Sequence, residues 1–302
     1  MVKTTPVVAA IGNFDGVHRG HHHLVDETLA FAKAHGAKAA VVTFDPHPRR
    51  YFHPDEPPFL ITSLEMRKDL IKAAGAQDVF VLKFDADFAA HSPEEFLIGV
   101  LKNRLGLAGV VVGADFRFGK GRAGGIEALQ SIAQSAGLWV RIAEVISEQP
   151  FAEKYSSSAV REAIAAGDMK TAERLLGRRW AVRGIVSQGQ KLGRTLGFAT
   201  ANITLGDLVE PRRGVYAVRA KIDGEAFGAI SNFGRRPTVD DGAPLLETHL
   251  FDFDGDLYGR EIEVEFVDFI RDEQKFDGLD ALKAQIAADC EAARTILAGL
   301  TI

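Results

Sequence analysis

The chain changes its hydrophobic rhythm once, and that change limits the folds open to it. Up to about residue 147, short β-type runs alternate with helical stretches: VVAAIG (7–12), KAAVVTF (38–44), DVFVLKF (78–84), AGVVVG (108–113) and LWVRIAEV (138–145). Strands separated by helices must run parallel with the helices packed on both faces, so this half predicts a doubly wound α/β domain. Helices are expected at 21–35, 63–74, 125–136 and 157–177, and another in SPEEFLIGVLKNRL, where Ser92, Pro93 and Glu95 supply a cap, a first-turn proline and a capping-box carboxylate. From about 181 the helices stop. WAVRGIVSQG, GVYAVRAKIDG, EAFGAISNFG, LETHLFDFDG and REIEVEFVDFIR follow one another with glycines between them, the pattern of a small antiparallel barrel or sandwich. A last helix over about 279–298 aligns Leu282, Ile286, Cys290, Ala293 and Leu297 on one face. The expected domains are 1–180 and 181–302.

The 302 residues suffice for two cores, and the net charge of −5 argues against a general nucleic-acid binder. With no apolar run long enough to span a bilayer and Cys290 as the only cysteine, a cytoplasmic protein without disulfides is expected. The oligomeric state is not readable from the sequence.

The stretch IGNFDGVHRGHHH (11–23) crowds His18, His21, His22 and His23 into a glycine-rich turn after the first apolar run. Successive helical residues point about 100° apart, so His21–His23 cannot all face one ion. His18 can share a face with His21 or His22, but there is no glutamate between them to act as base and no evident third ligand, so zinc is disfavoured. A strand, a glycine turn and a helix start aim unpaired N–H groups and the positive end of the helix at one spot, which suits phosphate. Solvated surface histidines remain the alternative on spacing alone.

FDGVHRGH resembles the H-x-G-H signature of the nucleotidyltransferase superfamily, and YSSSAVR (155–161) is similar to its second signature, near I-S-S-T-x-x-R. TFDPHP (43–48) and VGADFRFGKGRAGG (112–125) resemble the adenylyltransferase module of bacterial bifunctional riboflavin kinase/FAD synthetases, in the family's order. The resemblance implies a Rossmann-like domain in which FMN attacks the α-phosphate of ATP and pyrophosphate leaves. It implies that His18 and His21 contact phosphates, that Ser156, Ser157 and Arg161 clamp the β,γ end, and that Gly12, Phe14, Asp15, Gly16 and Gly20 belong to the nucleotide site. Phe44, Pro46, His47, Pro48, Asp115 and Phe116 are implied on the flavin side, although a proline-fixed turn would by itself explain FDPHP.

KLGRTLGFATANI (191–203) resembles the riboflavin kinase motif G-R-x-x-G-F-P-T-A-N, with Ala199 in place of the family's proline. Gly193, Arg194 and Gly197 are implied in nucleotide binding. Thr200 and Asn202 alternate onto one face of an extended segment and offer oxygen ligands for Mg2+. In LLETHLFDFDGDLYG, strand alternation puts Glu247 on a face with His249, Phe251 and Phe253, a setting suited to accepting a proton, and the resemblance makes Glu247 the base for the riboflavin 5′-hydroxyl. RRGVYAV (212–218), SNFGRRPTV (231–239) and RDEQKF (271–276) also look like kinase segments, with Arg235 or Arg236 available to phosphate. The resemblance implies an enzyme that uses ATP and Mg2+ to convert riboflavin to FMN and FMN to FAD. The rival readings are an adenylyltransferase for another phosphorylated molecule with a regulatory barrel, and a flavin sensor without turnover.

Overall fold

The computed structural model describes residues 5–144, 146–148, 153–187, 200–235 and 244–299. The chain divides into two compact units, residues 1–56 with 64–156, and 57–63 with 157–302. By contacts, the helices between 157 and 176 therefore group with the second unit, ahead of the change of rhythm at 180/181.

The first unit is built on a parallel sheet of five strands in the order β3-β2-β1-β4-β5. They are β1 (Val7–Ile11), β2 (Lys38–Asp45), β3 (Asp78–Lys83), β4 (Leu107–Gly113) and β5 (Trp139–Ala143). Strand β2 is buried from Ala39 to Phe44 without alternation because both faces of the sheet are covered. Val8 and Ala10 of β1 face α1 (Arg19–Ala34) and α3 (Leu64–Ala73), with Val25, Ala32 and Ile71. Ala9 and Ile11 face the opposite layer, a wide π-type helix (Glu95–Arg104) and α5 (Ile126–Ala136), through Leu97, Leu101 and Leu129. Two short helices, α2 (Pro48–Phe52) and α4 (Ala86–Ala89), follow the ends of β2 and β3.

The capping box read from Ser92 and Glu95 is present, with Ser92 N–H donating to Glu95 Oε2 (2.7 Å) and Glu95 N–H to Ser92 Oγ (3.2 Å). Two short strands, β6 (Ser147–Glu148) and β7 (Glu153–Lys154), pair as a small ribbon before the second unit.

The stretch expected as one helix at 157–177 is two, α6 (Ser157–Ala166) and α7 (Met169–Leu176). Gly167 adopts φ 78°, which breaks the ladder, and Asp168 restarts it by accepting from Thr171 N–H at 2.9 Å.

The barrel strands are β8 (Ala181–Ile185), β9 (Thr200–Thr204), β10 (Gly214–Ile222), β11 (Glu225–Arg235), β12 (Pro244–Leu250) and β13 (Glu261–Arg271). They pair antiparallel in the order β8-β13-β10-β11-β12-β9. The two outer strands nearly close the sheet on itself: Ser187 N–H donates to Asn202 O at 3.0 Å, and Gly184 has no side chain where a Cβ would run into Ile203.

Tyr216, Phe233, Leu246 and Phe266 fill the interior. Helix α8 (Leu279–Ala298) packs Cys290, Ala293, Ile296 and Leu297 on the outer face against Ala217, Ile230 and Val267. Its register also buries Asp289, which Arg271 grips with three hydrogen bonds of 2.7–3.1 Å.

The segment 57–63 is fastened into this unit. Phe59 and Leu60 N–H donate to Asp207 O, Val209 N–H donates to Leu60 O at 2.7 Å, and Trp180 Nε1–H donates to Ile61 O at 2.9 Å.

Candidate functional sites

In the first unit the chain leaves β1 toward α1 on one face and leaves the adjacent β4 toward α5 on the other. The loops must diverge there, and the crevice they open at the carboxyl ends of the strands is the place where an open α/β sheet binds ligands. The turn after β1 is tightly coiled. Phe14, Gly16 and Val17 have φ of 51°, 84° and 41°, a conformation that non-glycine residues adopt only when their surroundings impose it. Burial imposes it: Phe14 is 0% and Asp15 1% exposed. These two residues, assigned to the nucleotide site from sequence, are packed beneath the turn.

His18 is the N-cap of α1, and its carbonyl accepts from His21 N–H (2.8 Å) and His22 N–H (3.0 Å). Its imidazole stacks on that of His21, with centroids 3.7 Å apart, and the His21 ring lies 4.9 Å from Phe14. Gly20 makes room for the stack, since a Cβ there would lie 3.1 Å from the His18 ring and 3.3 Å from Tyr155 Cβ. Gly12 likewise leaves space for the Phe14 ring. The first turn of α1 carries no acidic side chain, so its positive end is uncompensated from within the helix. Among the described residues, no group of three or more His, Cys, Asp or Glu is arranged to hold a metal ion.

The turn after β2 contains a cis Asp45–Pro46 bond, and His47 Nδ1 accepts from Arg49 N–H at 3.1 Å as the N-cap of α2. Phe44 and His47 are buried, Pro48 is half-buried and Pro46 is exposed. Between this turn and the histidine turn lies Arg67 of α3, a residue the sequence reading did not single out. It is 2% exposed, and its Nη1 and Nη2 donate to Asn13 O (3.0 Å) and Phe44 O (3.2 Å). Burial pushes this guanidinium below its ordinary pKa, while Asp15 and Asp45 act in the opposite direction.

Asp115 is exposed just beyond β4 beside Gly113, and Phe116 stacks on Phe118 at 5.3 Å. From Phe118 a continuous string of rings runs through Phe96 and Phe88 to Phe44 and Phe84, and on to Tyr51 and Phe52, the last 59% exposed. Only Phe44 and Phe116 were legible as site residues. The others come from separate segments, and no spacing links them.

Ser156 ends the first unit, while Ser157 and Arg161 lie on α6 in the second. There Arg161 Nε donates to Phe59 O at 2.7 Å and its guanidinium lies 5.3 Å from the Phe59 ring centroid.

In the barrel, register gathers the second set. Glu247 of β12 stands directly opposite Asn202 of β9 on one side and Asn232 of β11 on the other, and His249 stands opposite Thr200. Directly opposed residues of antiparallel strands project from the same face, so Thr200, Asn202, Asn232 and Glu247 share one patch outside the barrel core. Asn202 is 3% exposed and Glu247 half-buried. Beneath them, on the inner face, Ser231 and Thr248 hydrogen-bond at 2.7 Å.

The aromatic row expected beside Glu247 runs past the strand: β12 ends at Leu250, Phe251 lies at the α8 interface on the outer face with its ring 5.9 Å from that of His249, and Phe253 packs on Phe227. The residues directly opposite the carboxylate are asparagines. Gly193, Arg194, Gly197, Ala199 and Arg236 lie outside the described residues, and Arg235 ends β11.

A parallel sheet with a histidine turn at its switch point, joined to a barrel that lines up a carboxylate with hydroxyl and amide oxygens, defines a two-unit transferase of phosphate-bearing groups. Residues 2–159 match the family model for FAD synthetase and residues 176–297 that for riboflavin kinase. The bifunctional riboflavin kinase/FMN adenylyltransferases of Pseudomonas fluorescens and Escherichia coli are each 41% identical to this chain. The matches cover 96% and 97% of the chain and 93% of each relative. The chain belongs to the bacterial bifunctional riboflavin kinase/FMN adenylyltransferase family. A crystal structure from Streptococcus pneumoniae, described as a macrolide-efflux protein, shares the fold at a TM-score of 0.85 and 31% identity, over 97% of this chain and 95% of that one. Among the described residues of the present chain, no helix is long and apolar enough to cross a membrane.

Proposed function

We propose that the two activities of this enzyme, phosphorylation of riboflavin to FMN and adenylylation of FMN to FAD, are divided between the two sets of residues described above. Residues 1–180 carry adenylyl transfer and 181–302 carry the kinase. The cross-strand row Asn202–Glu247–Asn232 carries this reading, because a pure binding barrel has no need of a carboxylate aligned with amide and hydroxyl oxygens.

In the kinase step Glu247 accepts the proton of the riboflavin 5′-hydroxyl as that oxygen attacks the γ-phosphate of ATP and ADP leaves. Thr200 and Asn202 fit Mg2+: they offer neutral oxygens on one strand face, as suits an ion that keeps waters and takes its remaining ligands from substrate phosphates. Bound there, the ion would neutralise charge on the transferred phosphate.

In the second step a phosphate oxygen of FMN attacks the α-phosphate of ATP and pyrophosphate departs. No protein nucleophile is needed, so the work is orientation and charge stabilisation. His18, His21 and the positive end of α1 receive the phosphates; the family resemblance gives Ser156, Ser157 and Arg161 the β,γ end. The ring string ending at Phe52 and Phe116 offers the flavin an apolar stacking wall beside Pro46, His47 and Asp115. With ATP as co-substrate and Cys290 as its only thiol, the enzyme works in the cytoplasm.

The test is product analysis: the chain incubated with riboflavin, ATP and Mg2+ forms FMN and then FAD by chromatography, and EDTA stops FMN formation. Appearance of neither product overturns the proposal.

A further inference from the structure

Arg67 has no assigned part in either reaction, yet it is the largest charged side chain wholly enclosed in the first unit. Its place on α3 belongs to the apolar stripe: Leu70, Ile71 and Ala74, three, four and seven residues on, all pack into the core beneath β1 and β2. A leucine or methionine in such a slot carries no charge to desolvate, whereas a buried guanidinium loses several kcal/mol of hydration that its partners must offset. Stability alone therefore does not account for it. What distinguishes the position is which groups it joins.

One arm of the fork ends on the carbonyl of Asn13, one residue before the coiled turn that delivers His18. The other ends on the carbonyl of Phe44, at the start of the turn that delivers Pro46 and His47. Asp45 Oδ1 stands 3.9 Å from Nη2. Thr43 Oγ1–H adds a 2.9 Å bond to the same Asn13 carbonyl, so this oxygen is held from both β2 and α3. The pairing of β1 with β2 ends at Ile11 and Val42, short of both carbonyls.

We infer that Arg67 is a positioning residue for adenylyl transfer, a two-pronged strut that sets the histidine turn and the proline–histidine turn at a fixed separation. It touches no substrate. It acts through His18 and His21 on one side and through the Phe44–His47 turn on the other. The inference rests on the assignment of adenylyl transfer to the first unit.

The experiment compares R67K, R67M and H21A in the full-length chain, measuring kcat and KM for FMN-to-FAD conversion, riboflavin phosphorylation and thermal unfolding on each. Lysine keeps the charge but cannot hold two carbonyls in a fixed fork. A reacting geometry displaced by about 1 Å costs on the order of 100-fold. R67K is expected to lose between about 10- and 100-fold in adenylyl-transfer kcat, with a smaller change in KM. Its riboflavin phosphorylation stays within about twofold and its melting temperature near that of the parent, and R67M, if it folds, is worse than R67K.

Two results overturn the inference: wild-type adenylyl kcat and KM in R67K, or a fall of both activities in proportion to the folded fraction. If R67M does not fold, R67K decides alone. H21A separates the two levels of the argument: if it too retains FAD synthesis, the site assignment fails, and if only R67K retains it, the strut fails.

Discussion

His18 reaches its site from a turn beyond the end of β1, whereas Glu247 reaches its own from the middle of β12. In the parallel unit the histidines assigned to phosphate stand past the end of β1, and their placement is borrowed from buried neighbours: Phe14 and Asp15 under the turn, Gly20 beside the stacked imidazoles, Arg67 between two turns. In the barrel the residues stand on the ladder itself, and pairing across β9, β12 and β11 aligns Asn202, Glu247 and Asn232 with no help from the core. A turn-built site is thus sensitive to side-chain changes around it. A strand-built site is sensitive to anything that shifts register or opens the barrel.

The sharpest way to break this comparison is to remove one group from each site. Glu247→Ala is expected to lower FMN formation by about 10²- to 10⁴-fold, the usual worth of a positioned base, while FMN supplied directly is still converted to FAD. His21→Ala is expected to do the converse, lowering FAD formation by about 10²- to 10³-fold with the kinase intact. Loss of both steps in either variant with the fold preserved, followed by chromatography of the products, would contradict separate sites.

Gly20→Ala probes the turn more gently. Its methyl meets the His18 ring at 3.1 Å, so FAD formation should fall roughly tenfold while riboflavin phosphorylation and the melting curve barely move. Gly184→Ala probes the barrel seam: the added methyl collides with Ile203, costs about 1–3 kcal/mol of stability by denaturant titration, and weakens the kinase before the adenylyltransferase.

The smallest effect is electrostatic and confined to the parallel unit. The Ser92 N–H bond holds the Glu95 carboxyl below its ordinary pKa, and the Phe88 N–H bond does the same for Asp85. A carboxylate depressed in the folded state contributes stability that is full above its unfolded pKa and is lost as pH falls through the folded one. Glu95→Gln should therefore lower the melting temperature slightly at pH 7, where the contribution is full, and flatten its fall below about pH 4, so that parent and variant converge on acidification.

The legible parts of this molecule are those where a local pattern has one physical solution. Unbroken apolar runs such as KAAVVTFD need cover on both faces and so predict a parallel sheet. Ser92 and Glu95 cap their helix as their spacing requires. The break at Gly167 was missed because a single glycine inside a helical pattern is usually tolerated, and only the left-handed φ it adopts ends the helix. Phe251 and Phe253 fall beyond the strand for a related reason, since alternation does not say where a strand stops.

The amino-acid order by itself determined the two architectures, the helix starts and the candidate motifs, because these depend on periodicity and on groups a few residues apart. Tertiary structure alone decided that Asn202 and Asn232 flank Glu247, that a string of phenylalanines joins Phe44 to Phe116, and that Arg67 spans two turns. Each of these joins residues from separate elements of the chain. Such contacts arise from strand order and packing, which no local spacing encodes.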